Sequence, residues 1–301
     1  MIAVALVLSR LFHYVSLLAL LGGSAFPLYA GGVGTAAAAG AGPIRPLSRW
    51  LIAMAAVALA SGLAWFAFTT ASMAGDLAAL ADPANIIAVL QIEFGRLWAA
   101  RMALILLALV LAARESERRR PWALATVSAL AAASLCGTGH AGEPGGAAGA
   151  IHRACDAVHL LAAGAWLGGL PALLLALRDG REGAAQGADP RFMLLRFSLI
   201  GVVSVAAILA TGIVNTLDLA GSAAALISTV WGRLLIAKIC LVLVMVALAL
   251  DNRLRLTPRL ELHKLARNII FEQVLALAVL ALVAVLGTLA PGAEMAMAPS
   301  L

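Results

Sequence analysis

Charge is what this chain of 301 residues has least of. Asp, Glu, Lys and Arg make up 12% of it against 63% hydrophobic residues, where an ordinary soluble domain is about 25% charged. With a mean hydropathy of +1.01, that shortage excludes a soluble globular fold. Only five histidines and three cysteines are present, and the paired C-x-x-C spacing of structural zinc sites is missing. There is no Walker-type glycine loop, so ATP-driven pumping by this chain itself has no support. No pattern of a hydrolytic enzyme occurs, and the expectation is a protein that is not an enzyme. The net charge of +6 does not indicate nucleic acid, because the basic residues gather in short loops between apolar runs, where they report orientation.

What the chain does have is apolar runs of membrane-spanning length. Eight are expected, over residues 3–29, 50–74, 96–113, 122–139, 152–177, 194–217, 231–250 and 269–290, which makes an all-α polytopic membrane protein in contact with the lipid bilayer. Arg45 and Arg49, Arg114 and Arg118–Arg120, Arg178, Arg181, Arg191 and Arg196, and the stretch from Arg253 to Arg267 fall in alternate loops. The other loops hold Arg96, Arg153 and Arg233, all at helix ends. By the positive-inside rule the richer loops are cytoplasmic, so both termini are periplasmic. The first run can also be read as a signal peptide, with Arg10 as its basic region and Ala36–Ala39 as the cleavage site.

Against that leader stands an internal duplication. RLFHYVSLLALLGGSAFP (10–27) aligns with DAVHLLAAGAWLGGLP (156–171), so that His13 and Gly22-Gly23 match His159 and Gly168-Gly169. In the same order LASGL (59–63) matches LATGI (209–213), FGRLWAAR (94–101) matches WGRLLIAK (231–238), and LCGTGH (135–140) matches VLGTLA (285–290). The chain therefore reads as two four-helix repeats, 1–146 and 147–301. An even number of spans in each gives them one orientation, related by an axis along the membrane normal. The glycine pairs read as close-packing surfaces that seat the first and fifth spans against neighbours. Trp166 and Trp231 read as packing or interfacial anchors.

The residues suited to chemistry cluster on the periplasmic side. His152, Cys155, Asp156 and His159 recur at i, i+3, i+4 and i+7, so on a helix they share one face and descend about 10 Å. His13 occupies the position matching His159, and His140 ends the GTGH loop, while His263 falls in a basic cytoplasmic loop as a solvated residue. Met73 and the tail methionines Met295 and Met297 add outward-facing sulfur. Imidazole with thiolate or thioether suits copper or zinc, not magnesium or calcium. The metal set is thus His13, His159, His140, His152, Cys155, Asp156, Met73, Met295 and Met297. Alternatively, paired intramembrane histidines are the axial ligands of b-type haem, or His13 and His159 bond to neighbouring helices with no ligand at all, as in a membrane scaffold. Cys136 and Cys155 at outer helix ends are also spaced for a disulfide. Arg101 and Lys238, matched across the duplication, need an acidic partner such as Asp156, Asp218 or Glu93, a polar cavity, or a route to the interface.

The ordered pattern H-x8-GG, T-G-x2-N (211–215) and W-G-R-x4-K (231–238), continued through the apolar run of 274–291, resembles the copper resistance D family. The likeness in motifs covers about residues 150–292, and the first half agrees in hydropathy and register. The resemblance implies a bacterial inner-membrane protein that moves copper ions from periplasm to cytoplasm. It also implies a separate periplasmic copper-binding partner of the CopC type, since no such domain lies in this chain.

Overall fold

The computed structural model describes residues 1–30, 45–114, 121–138, 146–182, 190–220 and 222–290, all of them helical or in short connections. In chain order the helices are α1 (Ile2–Ala30), α2 (Arg45–Ala74), the short α3 (Pro83–Gln91), α4 (Glu93–Ala113), α5 (Pro121–Ala133), α6 (Gly146–Leu167), α7 (Gly169–Glu182), α8 (Pro190–Ala220), the short α9 (Ala223–Ser228), α10 (Val230–Asp251) and α11 (Leu262–Leu286). Two 3₁₀ turns, Leu77–Ala81 and Ser134–Thr138, and a π-helical turn, Asn252–Leu256, join or extend them.

Among the described residues, seven helical stretches are long and apolar enough to cross a membrane, one of them Gly149–Arg178, which runs through most of α6 into α7. The fourth expected span, over 122–139, is shorter as a helix: Pro121–Cys136 is apolar, but the α-helix stops at Ala133 and tightens into the 3₁₀ turn. Arg101 supplies the reason for the stop, because its Nη2 takes the carbonyl of Ser134 at 2.7 Å and its Nε takes the Ser134 hydroxyl at 2.8 Å.

Helix α1 is the hub of the bundle, touching α2, α5, α6, α7, α8 and α11. Its middle, Ser16–Ser24, is buried on every side, as expected of a helix that is apolar all round. By contrast α8 and α10 expose Leu199, Val203, Ile213, Ile239 and Leu243, an outer surface matched to hydrocarbon and unmatched to water.

Two pairs of glycines set the spacing. A Cβ on Gly22 would strike the backbone of Gly164, Gly168 and Gly169, and a Cβ on Gly168 would strike the Leu18 carbonyl. The backbones of α1 and α6 therefore meet directly, and the chain leaves α6 for α7 at that point. The glycines of F-G-R and W-G-R have a different use. A Cβ on Gly95 would collide with Val89 and Leu90, and one on Gly232 with Ala225 and Leu226. Each glycine lets the short helix before it, α3 or α9, fold back onto the start of the next long one. Those short helices have their own starts. Asp82 accepts from the Ala84 N–H at 2.9 Å ahead of Pro83, and Ser222 accepts from the Ala225 N–H at 3.1 Å, the capping expected of such residues.

Enlarging the α1–α6 contact should therefore unseat the bundle. Gly168→Leu is expected to cost at least about 1–3 kcal/mol by overpacking, seen as a lower thermal midpoint of the detergent-solubilised protein. Gly201→Ala, whose added methyl meets only Trp166 Cδ1 at 4.0 Å, should leave the midpoint unchanged.

Candidate metal centre

The aligned histidines are held in the same way on opposite sides of the α1–α6 contact. On α1, His13 is fully buried and its Nδ1 lies 3.0 Å from the Ala58 carbonyl and 3.3 Å from the Ser61 hydroxyl of α2. A carbonyl only accepts, so Nδ1 carries the proton. On α6, His159 Nδ1 lies 2.9 Å from the Thr211 hydroxyl of α8. That hydroxyl spends its own proton on the Ala207 carbonyl at 2.6 Å, so it too accepts from Nδ1–H. The Ser61 hydroxyl is likewise committed to Val57 at 2.6 Å. In both places Nε2 is the nitrogen left for another partner, and His13 Nε2 is buried with no hydrogen bond. Fixing one imidazole nitrogen so that the other is presented is the arrangement found behind metal-bound histidines.

The glycine after each hydroxyl residue makes room for the ring: a Cβ on Gly62 would press on His13 Cε1 at 2.9 Å, and one on Gly212 would touch His159 Cε1 at 3.7 Å. Met102 Sδ packs on the same face of Gly62 as the His13 ring, a thioether outside the metal set expected from the sequence. Trp98 Nε1 donates to the Gly62 carbonyl at 2.8 Å and pins α4 to this point.

Around these shared centres the charges differ. Near His13 stand two guanidinium groups on the Trp65 ring, Arg10 at 5.4 Å and Arg101 at 5.5 Å from its centroid, with the His13 ring itself at 5.5 Å. Arg101 is fully buried and acts electrostatically on His13. Near His159 stands a carboxylate. Asp156 accepts from Asn215 Nδ2 at 2.5 Å and lies 3.6 Å from His152 Nε2. Lys238, the residue aligned with Arg101, is within electrostatic reach of both Asp156 and His159. One end of each motif, His159 of H-x8-GG, Thr211 and Asn215 of T-G-x2-N and Lys238 of W-G-R-x4-K, thus comes to one neighbourhood with Asp156, while the glycines of the first and third motifs pack elsewhere.

The structure brings His152, Asp156 and His159 into one polar row on α6, with Cys155 partly buried on the same helix. It turns His13 to α2 and His159 to α8. Among the described residues no group of three or more His, Cys, Asp or Glu side chains is close enough to hold a metal ion by itself. Met73 is 62% exposed at the end of α2. His140, Met295 and Met297 lie outside the described residues. No disulfide joins Cys136 to Cys155. Glu93 is exposed and is replaced as the partner of Arg101 by Ser134 and Trp65, whereas Lys238 lies within electrostatic reach of Asp156. The signals that could have revealed Ser61, Thr211 and Asn215 were already in the aligned S-G and T-G pairs. They were legible as a match but not as a function, because a hydroxyl one turn from nothing in sequence gives no hint of its imidazole.

Residues 1–150 match the profile of the family described as copper resistance protein D-like, N-terminal domain, and residues 192–286 match that of copper resistance protein D. The inner membrane protein YebZ of Escherichia coli (strain K12) is 36% identical over 178 residues, covering 58% of this chain and 59% of that protein. Copper resistance protein D of Pseudomonas syringae pv. tomato is 33% identical over 273 residues, 85% of this chain and 86% of that one. No solved structure matches.

If Asp156 and Lys238 compensate one another, their substitutions are not additive. In a double-mutant cycle of Asp156→Asn and Lys238→Met, thermal unfolding in detergent should report a favourable coupling of roughly 0.5–3 kcal/mol, with the double variant more stable than the sum of the singles predicts.

Proposed function

Because the chain belongs to the copper resistance D family, we propose that it is a multi-pass inner-membrane copper transporter that takes the ion from the periplasmic side through the row His152, Asp156 and His159. The observation that carries this reading is the tethering of His159, with Nδ1–H committed to Thr211 and Nε2 presented. Asp156 supplies the negative charge that a copper ion beside Lys238 requires. His13 offers the same imidazole geometry with Met102 beside it, but Arg10 and Arg101 oppose a cation there, so His13 is the secondary station. Cys155 and the exposed Met73 serve as capture ligands at the mouth, with His140, Met295 and Met297 as further donors. A separate CopC-like protein is the proposed source of the metal.

The topology proposed with this function has eight spans, two like-oriented repeats (1–146 and 147–301) and periplasmic termini. Three features support it. Gly22 and Gly168, aligned with one another, also touch one another, as residues on a two-fold axis do. The paired S-G and T-G segments face their aligned histidines. An α-helix over Pro121–Ala133 followed by a 3₁₀ turn over Ser134–Thr138 has a combined rise of about 30 Å, enough for hydrocarbon thickness.

The test is titration of the purified full-length protein with cuprous ion against a chromophoric chelator. Thr211→Val should weaken binding by about 10–100-fold, the usual effect of removing the group that orients a ligand. His159→Ala should weaken it further, and more than His13→Ala does. Wild-type affinity in His159→Ala overturns the reading. A Soret band in the purified protein, lost in His13→Ala or His159→Ala, would replace copper by b-type haem.

A further inference from the structure

A cavity of about 300 Å³ lies between α6, α7, α8, α10 and α11. Along α8 it runs from Leu209, on the same turn as Thr211, past Ser198 to Leu194, a distance of about 22 Å. Its walls are apolar, with Trp166, Leu170 and Val205 among them, until it reaches Asn252 and Glu272 at the far end from His159. Glu272 is 1% exposed and sits inside a helix long and apolar enough to span the membrane. An ionisable residue in that position is costly and calls for a function.

The carboxylate is held by amides. Asn252 Nδ2 donates to Glu272 Oε1 at 2.5 Å, Asn268 Nδ2 donates to Asn252 Oδ1 at 3.0 Å, and Asn268 also reaches Asp251 Oδ2 at 3.5 Å. Asp251 is partly exposed and pairs with the solvated Arg255 at 3.4 Å, so the hydrogen-bonded chain leads from the surface to Glu272. Asn252 opens the π-helical turn, where the Thr257 N–H reaches back five residues to its carbonyl at 2.8 Å. Such turns recur at functional sites, and this one sets the Asn252 side chain against α11.

The charges facing Glu272 can be named element by element. From the end of α10, Arg253 lines the cavity and gives Nη1 to the Ser198 hydroxyl at 2.6 Å, while Asp251 is turned to Asn268. On α8, Arg196 lies over the Phe192 ring. Arg178 of α7 and His263 and Arg267 of α11 line a different cavity. Arg10 of α1 is bound to the Gly287 carbonyl beyond the far end of α11. Among the described residues, no cation forms an ion pair with Glu272. Carboxylate and carboxamide oxygens are hard donors, ill suited to the soft cuprous ion that imidazole and thioether attract. A proton is the positive partner that suits the site.

We propose that Glu272 is a proton-binding carboxylate at the foot of this cavity and that its protonation is coupled to passage of the metal past His159. The coupling rests on the transport reading above, and the proton site stands apart from it. The full-length chain reconstituted in liposomes with an internal pH indicator, given cuprous ion outside, should show a proton flux that accompanies copper uptake. In Glu272→Gln that flux should fall to the level of protein-free liposomes, while copper affinity in detergent stays at the wild-type value and shows that the variant is folded. Wild-type proton flux in Glu272→Gln overturns the coupling. If wild-type liposomes take up no copper, the transport reading and the coupling fail together, and infrared spectroscopy decides the proton site alone. A carboxyl band that titrates in the wild type and is missing in Glu272→Gln establishes it, and the absence of such a band overturns it.

Discussion

The bundle depends on one contact, the direct meeting of the α1 and α6 backbones at Gly22 and Gly168. In lipid no hydrophobic force draws two apolar helices together, so close van der Waals approach has to do it, and only small residues allow that approach. The contact has a positional consequence. His13 lies nine residues before Gly22, and His159 nine residues before Gly168, so each imidazole is carried about 13 Å from the crossing point. With the α1 and α6 backbones locked together, the two rings face outward to different helices, α2 and α8. A glycine after each hydroxyl residue lets the ring come in close.

What happens around those rings shows how one scaffold can hold two electrostatic settings. The tether is shared: a hydroxyl that has already given its proton to a carbonyl one turn back accepts from Nδ1–H. The surroundings are not. Arg10 aligns with Asp156, Trp65 with Asn215, and Arg101 with Lys238, so the first site collects cations on an aromatic face and the second balances a cation with a carboxylate. A charge taken out of water needs an opposite charge within reach or hydrogen bonds of its own. Asn215 provides such a bond to Asp156, while Arg101 gives Nε and Nη2 to the hydroxyl and carbonyl of Ser134 and leaves Nη1 buried without a hydrogen bond. That second arrangement also shortens the α-helix of α5, so a difference in charge becomes a difference in backbone.

Most of the long helices were legible because hydrocarbon imposes length and apolarity on any segment that crosses it, and that constraint is written in composition. The use of the glycines was legible for a related reason, since a small residue paired at fixed spacing in an apolar helix has few other uses. The short helices α3 and α9 were missed, although Asp82-Pro83 and Ser222 are ordinary starts, because windows broad enough to find membrane spans average over pieces of six to nine residues. His159 was legible through its match to His13, but its partners were not: Thr211 is 52 positions away and Lys238 further still, and only packing shows which turn of α8 or α10 faces α6. Glu272 was in plain view as a lone acid in an apolar run. It was passed over because attention to soft metal ligands selects histidine, cysteine and methionine and leaves a carboxylate unremarked.

That selectivity has a physical counterpart in the molecule. The two polar places of the second half differ in their donors: His152 and His159 bring imidazole nitrogens beside Asp156 and the Asn215 amide, whereas Glu272 is held by the Asn252 carboxamide, itself held by Asn268. A soft ion bound by nitrogen at the proposed His159 station would gain nothing from the oxygens around Glu272, and a proton on Glu272 would have no competitor there among the soft metals. Helix α8 is the element that both places share, bearing Thr211 against His159 and Ser198, which accepts from Arg253, towards the other. A shift of α8 that loosens the Thr211 tether also moves Ser198 against the turn that carries Asn252. One rigid helix would therefore be enough to link occupation of the proposed metal site to the hydrogen bond that holds Glu272.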